Sequence, residues 1–141
     1  MFKKFSACLC AILAISAFFY FYAVNSLPVF YKYSDRIELY EESGSFGNFS
    51  LYDGGLIKKK DIKGESCYLY GVSYEKILKD FSAKHVFSEE TLAGESFYAF
   101  SPYIPYRVNL NGKIVNLQYF SYQEEKDEKV KIGTPMIFGS Y

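Results

Sequence analysis

At 141 residues the chain has room for one modest domain, and its formal charge is zero, from 16 basic and 16 acidic residues. Setting aside the first 26 residues removes Lys3 and Lys4 and leaves 115 residues with 14 basic against 16 acidic. That balance speaks against nucleic acid as a partner, because a phosphate backbone needs concentrated positive charge. Aromatic residues make up 21%, with fifteen Tyr and no Trp, a composition that favours strands.

Lys3 and Lys4 form a positive start, and residues 5–24 follow without a charge. Twenty helical residues rise about 30 Å, the thickness of a bilayer's hydrocarbon layer. A secretory apolar core is shorter, about 7–15 residues. The aromatic cluster at residues 18–22 is expected near the outer interface. With Lys3 and Lys4 inside, the rest of the chain is expected outside the cell, held by a single-pass anchor. The alternative is a secreted form cleaved after Ser26, since Val24 and Ser26 suit the residues before a signal cleavage point. Cys8 and Cys10 lie within this segment, so Cys67 is the one thiol beyond it. A lone thiol cannot form an internal disulfide, so the domain must be held by its core.

Residues 27–63 form a second region, read as juxtamembrane strands or a hairpin. The apolar stretch 29–33 is expected as a spacer. Residues 36–40 and 46–52 are expected as strands, with Asp53-Gly54-Gly55 turning into 56–62. Lys58, Lys59 and Lys60 could touch anionic lipid next to a membrane, an attraction that is weaker outside the cell, so they are expected on a solvated hairpin edge, where lysines blunt strand pairing.

From residue 64 the patterns sharpen. Residues 66–71 alternate as a strand, with Tyr68 and Tyr70 on one face and Cys67 and Leu69 on the other. Ser73 then caps a helix. Its apolar stripe is Tyr74, Ile77, Leu78 and Phe81, and its wet side offers the pairs Glu75–Lys79 and Asp80–Lys84. A strand returns from Val86, and Leu92-Ala93-Gly94 is a loop. Residues 96–101 are a strand ended by Pro102 and Pro105. Asn111-Gly112 marks a two-residue type I′ turn. Counting outward opposes Leu110 to Lys113, Val108 to Val115 and Tyr106 to Leu117. This register places Arg107, Asn109, Asn116 and Gln118 on one polar face, bordered by Ile114 and Phe120. Residues 129–132 add a strand, with 123–128 as its connection. The order implies an α+β fold, an antiparallel sheet with one packed helix, preceded by a transmembrane or signal helix.

The pattern Tyr98-Ala99-x-Ser101-Pro102, Asn111-Gly112-Lys113, Asn116-Leu117-Gln118 and Gly133-Thr134-Pro135-x-Ile137-x-Gly139-Ser140-Tyr141 resembles the YwmB family of Gram-positive bacteria. The resemblance covers roughly residues 64–141. It implies an extracytoplasmic envelope protein with a fold similar to the TATA-box-binding protein, of unknown function. The chain departs from the family in having few residues between the apolar segment and residue 64.

Chemistry is sparse. The only His is His85, in a different element from Cys67, so a catalytic Cys/His pair is not expected. The pairs Glu41-Glu42, Glu89-Glu90 and Glu124-Glu125 are adjacent in loop-like stretches and point apart, unlike facing glycosidase carboxylates. No zinc spacing or phosphate-binding Gly loop occurs, so no metal or cofactor is expected. The expected organisation is an anchor over 1–26, a juxtamembrane region over 27–63 and an α+β domain over 64–141. The expected function is a non-catalytic envelope module binding a partner protein or wall component. Arg107, Asn109, Asn116 and Gln118 are the candidate binding residues, because a guanidinium and amides offer several donors of fixed geometry. The alternative is an envelope hydrolase whose site is not recognisable from sequence.

Overall fold

The computed structural model describes residues 2–41, 48–122 and 129–138, with side chains from Ser6 onward. Helix α1 spans Phe2–Val24. Within it, Ser6–Val24 is not buried in the protein, touching it only at its C-terminal end, and is long and apolar enough to cross a membrane. This fits a membrane anchor or a signal sequence. Strand β1, Asn25–Ser26, follows directly.

Next come β2 (Ile37–Tyr40), β3 (Phe49–Leu51), β4 (Ile57–Lys58) and β5 (Gly64–Tyr70). Helix α2 is Tyr74–Asp80. It is followed by β6 (Lys84–Thr91), β7 (Gly94–Phe100), β8 (Val108–Leu110), β9 (Lys113–Val115), β10 (Leu117–Tyr122) and β11 (Lys129–Thr134). Seven strands form one sheet in the order β3-β2-β5-β11-β10-β7-β6, every neighbouring pair antiparallel. The fold is therefore mixed α and β with one packed helix, as expected, but the sheet is larger than the sequence suggested. Strands β2 and β3 belong to it, so the boundary expected at residue 63/64 falls inside this sheet.

The residues expected in α2 fold as read. Ser73 Oγ accepts the Lys76 N–H at 3.3 Å and caps the helix. Ile77 is fully buried, while Tyr74, Leu78 and Phe81 pack around the same core. Burying one such aliphatic side chain contributes about 2 kcal/mol. The helix ion pair is Lys76–Asp80 at 2.5 Å, in place of the expected Glu75–Lys79 and Asp80–Lys84. Lys84 is not one helical turn from Asp80, because α2 ends at Asp80 and Lys84 opens strand β6, and the Tyr33 hydroxyl also donates to the Asp80 carboxylate.

The stretch 29–33 is no spacer. Phe30 is fully buried and meets Phe81 edge-on, with ring centroids 5.8 Å apart. Tyr33 stacks on the same Phe81 ring. The helix-side core joins Phe30 to Ile37, Cys67, Leu117, Tyr119 and Ile132.

The Asn111-Gly112 turn forms as expected, with φ of 52° and 83° at the two residues. The predicted register holds for Leu110–Lys113 and Val108–Val115, but Tyr106 does not oppose Leu117. Leu117 pairs with Ala99 of β7 instead. The hairpin β8–β9 is thus a side branch, because Pro102 and Pro105 prevent a continuous strand from β7 into β8. The predicted connection over 123–128, the glutamates Glu42, Glu124 and Glu125, and the motif residues Gly139, Ser140 and Tyr141 lie outside the described residues. Glu89 and Glu90 sit in strand β6 rather than a loop.

Candidate functional site

Strand pairing places a set of polar and aromatic residues on the sheet face opposite α2. Lys131 opposes Tyr68, Lys129 opposes Tyr70, Ser66 opposes Glu38, and Glu38 opposes Leu51. Directly opposed residues share a face. Lys131 and Glu38 form a salt bridge at 3.1 Å, with the lysine side chain only 4% exposed. Tyr40 and Ser66 hydroxyls each donate to the same Glu38 carboxylate at 2.8 Å. Burial raises the Glu38 pKa, but these two donors and the Lys131 charge outweigh it and hold the carboxyl below its usual range. Burial, together with the Glu38 charge, pushes Tyr40 up to about 12 against the opposing bond from Ser66.

Cations also cover the Tyr68 ring. The Lys129 and Lys131 ammonium groups lie 4.6 Å and 4.8 Å from its centroid. Beside this cluster a groove of about 540 Å³ opens between Arg36, Glu38, Phe49, Tyr68, Tyr70 and Lys129. Tyr70 is 68% exposed and Phe49 52%, so apolar surface faces solvent within reach of two cations.

The four residues expected to form a binding patch are not brought together on an exposed face. Arg107 and Asn109 are exposed on the side hairpin. Asn116 and Gln118 are fully buried. The Asn116 amide accepts from Ser101 N at 2.7 Å and donates to the Ser101 and Ile104 carbonyls. Gln118 Nε2 donates to Ser96 and Tyr98, and its Oε1 accepts the Ile137 N–H at 2.9 Å. These amides satisfy backbone groups that the two prolines and the C-terminal stretch leave without a ladder partner. Asn109 Oδ1 caps the turn by accepting from Gly112 N. The Arg107 guanidinium lies 5.5 Å from the Phe100 ring centroid.

A second buried carboxylate, Glu65, lies on the helix side. It accepts Val29 N at 2.6 Å and the Tyr106 hydroxyl at 3.1 Å. Burial dominates and lifts its pKa to about 7, against the lowering effect of bonds from Val29, Tyr106 and Phe30.

Cys67 is buried in the core, where desolvation and the Glu65 and Glu38 charges push its thiol up to about 12. His85 is on exposed edge strand β6, with Nδ1 2.9 Å from the Tyr74 hydroxyl. Four strand spacings, about 19 Å, separate β5 from β6. The two residues therefore cannot act as a nucleophile and its base. Among the described residues, no group of three or more His, Cys, Asp or Glu side chains is placed to hold a metal ion.

No family model matches the chain, and neither a curated protein nor a solved structure matches it.

Proposed function

We propose that this chain is a non-catalytic envelope module, anchored by α1 with its domain outside the cell, that binds a partner protein or wall component in the groove beside Tyr68. The groove itself carries the reading. Aromatic and aliphatic surface stands exposed beside Arg36 and Lys129, over a base fixed by the Glu38–Lys131 pair. That combination suits a ligand offering carboxylate or phosphate groups next to sugar or apolar faces. The resemblance of residues 64–141 to the YwmB family agrees with an envelope location. Anchoring is favoured over cleavage by the length of the apolar helix, 19 residues over Ser6–Val24 against about 7–15 in a secretory apolar core.

A photoreactive residue at position 70, in the full-length protein in cells, tests the site. It should yield a discrete adduct that is absent when the probe stands at Tyr103, which is also exposed. Arg36→Glu with Lys129→Glu should abolish the adduct while the protein stays folded. Equal adducts from both positions, or an adduct indifferent to charge reversal, would reject the groove as the binding site.

A further inference from the structure

The lysine run expected on a solvated hairpin edge is exposed, with Lys58 in the short strand β4, and it also lies at the end of the apolar helix. Lys59 N donates to the carbonyl of Val24, the last residue of α1, at 3.0 Å. The pairing of Asn25 with Lys58 and Ser26 with Ile57 fixes the same register. Lys58, Lys59 and Lys60 are all exposed. Together with Tyr20, Val24 and Asn25 they enclose an open hollow of about 620 Å³. Lys59 also lines a second hollow, of about 320 Å³, with Lys63 and Arg107. Five cations therefore gather where the chain leaves the helix, and the only carboxylate within residues 57–63 is Asp61.

We infer that this cationic collar binds the phosphate of an anionic phospholipid headgroup in the leaflet where the C-terminal end of α1 emerges. The inference rests on α1 crossing the membrane. Given that, the backbone bond between Lys59 and Val24 holds this run at the helix end, so the three ammonium groups come within reach of the headgroup layer. Tyr20 and Tyr22, in the last turns of the helix, mark the same depth, since tyrosine rings settle at the interface. The hollow is open and bordered by both apolar helix surface and ammonium groups. A headgroup presents that same boundary between acyl chain and phosphate. Each lysine beside a leaflet as anionic as the cytoplasmic one favours contact about fivefold, so three together favour it by at most about a hundredfold, and by less where the leaflet carries less anionic lipid. Arg107 thus joins the membrane-proximal cations rather than an amide patch.

The test uses the full-length chain in nanodiscs of phosphatidylcholine alone and of an equal mixture with phosphatidylglycerol, read by hydrogen exchange at the amides of residues 57–60. Phosphatidylglycerol should slow that exchange at least about fivefold, and raised salt should remove the difference by screening. Lys58→Gln with Lys59→Gln and Lys60→Gln should erase it, and Lys113→Gln should not. Equal wild-type exchange in the two lipids would overturn the inference without any variant having to fold. If inorganic phosphate added to phosphatidylcholine discs gave the same protection, the site would be a free-anion site and the lipid assignment would fail. A chain that does not enter nanodiscs at all would overturn the anchor reading as well, whereas insertion with equal exchange rejects the collar alone.

Discussion

The Glu65 carboxylate accepts the Val29 N–H at 2.6 Å, so the segment leaving the apolar helix is tied to the centre of the sheet. Tyr106 donates to the same carboxylate from the other side. One buried group thus joins the linker, β5 and the stretch before the side hairpin. Its protonation is coupled to how firmly the linker is held.

That coupling predicts a pH dependence. Glu65 has a folded pKa near 7, above the value of about 4.3 for an unfolded Glu. Between these values the folded state holds a proton that the unfolded state has lost, so stability falls as pH rises through this window and levels off above it. The shift corresponds to about 3 kcal/mol between pH 4.5 and pH 8. Glu65→Gln keeps an acceptor for Val29 and should flatten this part of the curve. Denaturant midpoints measured against pH for both proteins check it, and parallel curves would contradict the coupling.

The buried amides predict large stability losses rather than lost binding. Asn116→Ala leaves the Ser101 N–H and two carbonyls without their partner and should cost about 3 kcal/mol. Gln118→Ala should cost about 2 kcal/mol by freeing Ile137 N. Asn109→Ala, which loses only an exposed turn bond, should stay under about 1 kcal/mol. Urea denaturation of the three variants separates these ranks.

Lys131 and Glu38 should behave as one unit. Lys131→Met strands a partly buried carboxylate and should cost about 3 kcal/mol. Glu38→Gln combined with Lys131→Met should cost less than the sum of the two single changes, by at least about 1 kcal/mol. Additive losses in a double-mutant cycle would show that the pair is not coupled.

Two glycines should differ in the reason for their sensitivity. At Gly112, φ of +83° with open space around it penalises only the backbone conformation, so Gly112→Val should cost about 1 kcal/mol. At Gly94 a Cβ would stand 2.0 Å from the Ser121 carbonyl oxygen. Gly94→Ala should therefore cost more than about 2 kcal/mol, since backbone must move. Thermal melts of the two variants test the order.

Local physics made much of this protein legible in its sequence. The Ser73 cap and the stripe through Ile77 defined α2. The Asn111-Gly112 turn followed from residues that tolerate positive φ, and twenty uncharged residues near the N-terminus defined α1. Each of these depends on neighbours a few positions apart. The order at the middle of the sheet was not legible, because β5 beside β11 joins residues about sixty positions apart, and only the tertiary structure brings Tyr68 and Lys131 together. The alternations of Tyr68 with Tyr70 and of Lys129 with Lys131 were visible in sequence, but nothing said that they face each other. The same limit misplaced Asn116 and Gln118. Alternation says which face a side chain takes, not whether that face is covered, and the residues at 135–138 cover it by bonding Ile137 to Gln118. The lysine run became a collar for the same reason: charge is written in the sequence, whereas its position beside Val24 comes from a strand pairing that spans the whole linker.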